Sequence, residues 1–222
     1  MGTGLGDSKM TQNLFALADA DDADGLLATL GDRETFRVRN DNGETIYLYC
    51  LYRGRAKCTD ALAKRGGLTL HEAAAAGDTA RVAACVQEAP WAIQSLSGDG
   101  WTALHLAAFL GRDETMLKLL ELGADARQWG RAFDPNLPLH AACAGRRLGK
   151  AAFVKLIAST GDPDIAQKGG FTALMVAAGN GFTDAVDALL DAGADRARKT
   201  DAGKTAADFA RERGHTEIAA KL

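Results

Sequence analysis

A four-residue frame returns along this chain at a nearly fixed interval. Thr102-Ala103-Leu104-His105 is followed by Gly111 and then by Gly123-Ala124-Asp125. The frame recurs at Leu137-Pro138-Leu139-His140, Thr172-Ala173-Leu174-Met175 and Thr205-Ala206-Ala207-Asp208. Its starts, at 102, 137, 172 and 205, lie 35, 35 and 33 residues apart. A unit this short cannot bury its own apolar face, so self-similarity at this period means stacked copies of one supersecondary unit. The 222 residues therefore read as one elongated solenoid rather than as one or two globular domains.

Each copy reads as a helix, a turn, a second helix and a loop. Thr at the first position suits a helix N-cap, and Pro138 fits the first helical turn, where an N–H has no partner to lose. Ala107-Ala108 keep the first helix thin, so that neighbouring copies can approach. Gly111 ends it, since glycine enters the left-handed conformation without a Cβ penalty. Met116, Leu117, Leu119 and Leu120 form the apolar stripe of the second helix, which Gly123 ends.

The block Thr-x-Leu-His-x-Ala-Ala-x-x-Gly, then an apolar helix, then Gly-Ala-Asp, resembles the ankyrin repeat, and the resemblance covers nearly the whole chain. It implies an all-α ankyrin repeat solenoid of about seven helix-turn-helix repeats with short hairpin loops. It also implies a non-catalytic protein-protein interaction module. The repeats fall near 11–41, 42–67, 68–98, 99–133, 134–168, 169–201 and 202–222. Residues 1–10 are expected as a flexible leader. The first repeat, with Asp19, Asp21, Asp22 and Asp24, and the last, with Arg211, Glu212, Arg213 and Lys221, have the polar character of caps.

Three places depart from the frame. Gly66 is followed almost at once by Leu68, leaving the loop between repeats two and three about ten residues short, so the stack bends there or the helices join directly. Two extra residues fall between Gly123 and Leu137. His140 to Gly149 spans nine residues instead of six. Insertions in solenoids map to loops on one face, often the binding face. Trp91 and Ile93, which replace a Gly-Ala-Asp turn, are expected to cover the short junction.

Composition excludes several classes. A net charge of −3 supplies no global field for nucleic acid, and no apolar run is long enough for a membrane span. The N-terminus has no secretory signal pattern. Cys50, Cys58, Cys85 and Cys143 have no Cys-x-x-Cys spacing and read as small buried thiols of a reducing compartment, the cytoplasm. No nucleophile elbow or phosphate loop is present, and no cofactor is expected. His71, His105 and His140 lie one repeat apart, which on the geometry that the resemblance implies stacks them about 10 Å from one another. That is far beyond a shared metal with ligands near about 2 Å. The resemblance makes them local hydrogen-bonding residues that steady the loops.

The resemblance also places the binding surface. Repeats of this kind recognise partners through the hairpin tips and the exposed end of the first helix, along a concave face. Here those positions include Trp101, Phe109, Leu110, Phe171 and Asn180, with Trp129, Arg131, Phe133, Arg146 and Arg147 close by in the two insertions. Large apolar residues and arginines at exposed positions are the usual anchors of interfaces. These ten residues are expected to form a partner-binding surface around repeats four to six, on a monomer, with the arginines attracting an acidic patch. Two alternatives stand beside this. Trp101 and Phe171 could pack against neighbouring hairpins and merely stiffen the row, or the patch could mediate self-association of a scaffold. A basic stretch through Arg53, Arg55, Lys57, Lys64 and Arg65, and a second from Arg127 to Lys150, lack the continuous aromatic-interleaved stripe that nucleic acid requires.

Overall fold

A computed structural model describes residues 4–131 and 135–222 of the chain. Among these the fold is seven consecutive pairs of antiparallel helices: α1 (Gly4–Asp19) with α2 (Ala23–Leu30), α3 (Ile46–Tyr52) with α4 (Ala56–Arg65), and α5 (Leu70–Ala76) with α6 (Thr79–Glu88). They continue as α7 (Ala103–Leu110) with α8 (Asp113–Glu121), α9 (Pro138–Gly145) with α10 (Lys150–Thr160), α11 (Ala173–Asn180) with α12 (Thr183–Asp191), and α13 (Ala206–Glu212) with α14 (Thr216–Lys221). Odd-numbered helices pack on one another in an inner row and even-numbered helices in an outer row. A single core of small and branched residues runs between them, from Leu14 and Leu26 to Ala210 and Ile218.

The frame residues do what their chemistry dictates. Thr102 caps α7, its hydroxyl accepting from the His105 N–H at 3.3 Å. Gly111 closes the same helix with φ at 67°. The ring of His105 is fully buried: Nε2 lies 2.9 Å from the carbonyl of Asn136, and Nδ1 lies 2.7 Å from the Thr102 hydroxyl. A carbonyl can only accept, so Nε2 carries the proton and Nδ1 accepts from Thr102. In this way one side chain ties its own helix start to the hairpin of the next repeat. In the repeat of α13 the residue at this position is not a histidine. Asp208 stands there instead, and Thr205 and Asp208 cap each other's backbone N–H groups.

Several expectations are corrected. The leader expected over residues 1–10 is, from Gly4 onward, part of α1, with Met10 packed on the core. In repeat three the cap is Thr69, so the residue in the His105 position is Glu72 rather than His71. In repeat five the six-residue spacing from His140 is kept, because Arg146 takes the left-handed position that Gly111 holds elsewhere (φ 55°). The true insertion is the longer link after it, pinned by buried Leu148 and by the Gly149 N–H on the Asp113 carboxylate. Trp91 is 78% exposed and covers nothing, whereas Ile93 is buried. The acidic run of the first repeat is not merely solvated, since Asp21 accepts the Lys57 and Cys58 N–H groups and so caps α4.

The shortened junction explains most of what is special about the molecule. Residues 66–69 join α4 to α5 with no hairpin between. The hairpin before α3 therefore meets the hairpin before α7 directly. A Cβ on Gly43 would stand 2.2 Å from the Gly98 carbonyl oxygen, and one on Gly98 would stand 2.3 Å from that of Gly43. Glu72 pins the gap from beneath. Fully buried, it accepts from the hydroxyls of Thr45 (2.7 Å) and Thr35 (3.4 Å) and from the Thr69 N–H (3.0 Å). A buried carboxylate is tolerated when its lone pairs are satisfied in this way.

Candidate functional site

Because one hairpin is missing, the C-terminal end of α3 faces the hairpin that serves α7. The Tyr52 hydroxyl donates to Asp99 Oδ2 at 2.9 Å, and the Ser97 hydroxyl donates to Asp99 Oδ1. Burial, and then the Asp99 charge, push the Tyr52 hydroxyl well above its ordinary pKa, so it stays a donor throughout the physiological range. Trp101, where the same hairpin returns to Ser97, packs edge-on to Phe109 with centroids 5.2 Å apart and planes at 88°. Both rings remain half-buried.

Between these elements lies a groove of about 630 Å³, walled by Leu51, Tyr52, Asp99, Trp101, Phe109 and Leu110, with Arg147 on its rim. Trp101, Phe109, Leu110 and Arg147 thus line one groove, although Leu110 shows only 7% of its surface. The groove spans repeats two to five, not four to six. The signal for the shift was the short junction itself, with Tyr52 the one large polar aromatic at its end.

The other expected residues lie elsewhere. Phe171 packs against Phe209 of the last repeat, centroids 5.4 Å apart, and stiffens the row there. Trp129 is 40% exposed and stacks over the His140 ring at 6.4 Å, outside the groove. Arg131 is exposed, and its backbone N–H donates to the Gly100 carbonyl, linking two hairpins. Arg146 reaches the Asn180 carbonyl at 2.7 Å, next to a polar hollow lined by Gly179, Glu212, Arg213 and His215. Phe133 lies outside the described residues. In the earlier basic stretch Arg53 pairs with Glu44 at 3.1 Å while lying 3.6 Å over the Tyr49 ring, and Arg55 lies 3.6 Å from Asp19. These two arginines of the stretch are already committed to neighbours.

Burial holds His105 and His140 at about 4, below the ordinary histidine value, and pushes the thiols of Cys50, Cys85 and Cys143 up. These groups are neutral packing residues under ordinary conditions. Among the described residues no group of three or more His, Cys, Asp or Glu is placed to hold a metal ion, and no helix is long and apolar enough to cross a membrane.

Paired helices, most inner ones capped by a threonine and stacked through a row of hairpins, define a helical repeat protein. The family model for ankyrin repeats, in three copies, matches residues 14–129 and 139–222, and the chain belongs to the ankyrin repeat family. No curated protein matches it. Ankyrin repeats are generally protein-protein interaction modules and are generally non-catalytic.

Proposed function

We propose that this chain is a non-catalytic protein-recognition module, monomeric and cytoplasmic, that seats its partner on the concave face of repeats two to five. The observation that carries this reading is the open Trp101–Phe109 pair in a groove walled by side chains from α3, α7 and their hairpin. Half-exposed aromatic rings held rigidly by packing are the residue type that concentrates binding energy, because they bury large area with few rotors to freeze. The neighbouring repeats hold the groove preformed, so little ordering cost attends association.

The test is capture of proteins from an extract of the source organism by the native chain and by a Trp101→Glu, Phe109→Glu variant whose helicity is unchanged. The reading expects a distinct protein retained by the native chain and lost with the variant. Equal retention by both would move the interface off this groove. Concentration-dependent growth in mass by light scattering, abolished in the variant, would assign the groove to self-association instead.

A further inference from the structure

The concave face carries two chemistries in sequence. At the α3–α7 end it is apolar, closed by Tyr52, Trp101 and Phe109. From α9 onward it is cationic. Arg147 sits on the rim of the apolar groove, and Arg146 and Arg213 both line the adjoining polar hollow. The carboxylates nearby are already engaged. Glu212 is held by Lys204 at 2.8 Å, Asp113 takes the Gly149 N–H, and Asp208 takes Arg211 and the Thr205 N–H. Neither Arg147 nor Arg213 has a carboxylate partner among the described residues. Arg146 keeps a left-handed backbone where α5, α7 and α11 use glycine, at a cost of about 1–2 kcal/mol, and its guanidinium is aimed along the face by the Asn180 carbonyl. Strain retained where glycine would relieve it points to the side chain as the reason.

We infer that the partner's contact segment is a peptide in which one large apolar side chain is followed by acidic residues, the apolar one filling the Tyr52–Trp101–Phe109 groove and the carboxylates meeting Arg147, Arg146 and Arg213. This rests on the concave face being the protein interface. Complementary charge is what uncompensated cations beside an apolar anchor select for. The spacing follows from geometry. The steps from α7 to α9, just past which lie Arg146 and Arg147, and to α13, just past which lies Arg213, are one and three packed helices, about 10 and about 30 Å. An extended chain advances about 3.3 Å per residue, so the acids fall about three to nine residues from the anchor. Asp99, its carboxylate fixed by two hydroxyls, closes the opposite end to acids and sets the direction.

The test is selection of random twelve-residue peptides displayed on phage against three folded proteins: the native chain, an Arg147→Glu, Arg213→Glu variant, and a Trp101→Ala, Phe109→Ala variant. The native chain is expected to enrich a large apolar residue followed by Asp or Glu at that spacing. The charge-reversed chain is expected to enrich Lys or Arg there instead. A synthetic peptide selected on the native chain should bind the charge-reversed chain about ten-fold more weakly and lose affinity as salt rises. Peptides that need Trp101 and Phe109 but show no acidic preference, and bind the charge-reversed chain equally, would overturn this inference while leaving the concave interface standing. Peptides indifferent to both variants, or no enrichment at all, would overturn both.

Discussion

Tyr52 and Asp99 are joined by a 2.9 Å hydrogen bond across a gap that in the rest of the stack is filled by a hairpin. The bond ties the second repeat to the loop of the fourth and leaves the third beneath them. Tyr52→Phe removes the donor and leaves Asp99 with Ser97 alone. Unfolding in urea is expected to show a loss of about 1–2 kcal/mol, since the bond engages a charged group. No loss would mean that water replaces the hydroxyl and that the wall of the groove is not held this way.

The Glu72 carboxylate should matter more than any other polar group in the chain. Glu72→Ala strands the Thr35 and Thr45 hydroxyls and the Thr69 N–H in a buried site, and is expected to destabilise by about 2–4 kcal/mol in the same measurement. Stability in such stacks is nearly a sum of repeat and neighbour terms, so hydrogen exchange should accelerate first in the two N-terminal helix pairs. Uniform acceleration along the chain would contradict that.

Two glycines with similar backbones separate strain from contact. Gly43 has φ at 79° and would place a Cβ against the Gly98 carbonyl, whereas Gly123, φ at 93°, has open space around it. Alanine at Gly123 should cost about 1 kcal/mol from the left-handed conformation alone. Alanine at Gly43 should cost at least about 2 kcal/mol more, because two backbones must separate. Equal costs in denaturant unfolding would mean that the hairpins are not in direct contact.

Acid should unfold the molecule through its buried histidines. His105 and His140 have folded values of about 4, below the ordinary 6.5 of the unfolded chain. The unfolded state therefore binds protons first, and the contribution of each ring, fully present above the unfolded value, is lost as pH falls from there toward about 4. Each is expected to contribute at most about 3 kcal/mol across that window. Thermal unfolding between neutrality and pH 4 checks this. The steepness should drop in His105→Gln, and an unchanged pH profile in that variant would refute the assignment.

The fold was legible because its signals are local. A threonine cap, a glycine six residues past the histidine and an apolar stripe recur in the clear copies, and the ankyrin resemblance they carry implies about seven helix pairs, the number found among the described residues. What went unread depends on residues far apart in the chain. Gly43 and Gly98 meet only because the intervening hairpin is missing, and no pattern around either glycine announces it. Glu72 was hidden by the adjacent His71, which matches the motif by name but not by register with the cap. Arg146 was misread as part of an insertion because glycine was the expected occupant of a left-handed position. Of the site, Trp101, Phe109, Leu110 and Arg147 converge, while Phe171 and Trp129 pair with local rings instead. Residue type alone cannot say which exposed-looking aromatic has a neighbour waiting.

The central claim, a protein interface on the concave face, is tested most directly by site-specific photo-crosslinking in an extract of the source organism. A photoreactive phenylalanine analogue is placed at Phe109 in one protein and at the exposed Trp91 in another, each checked for native helicity. The account predicts a discrete cross-linked protein from position 109 that is absent from position 91 and competed away by excess native chain, but not by the Trp101→Glu variant. The same product from both positions, or a product that the Trp101→Glu chain competes equally well, would contradict it.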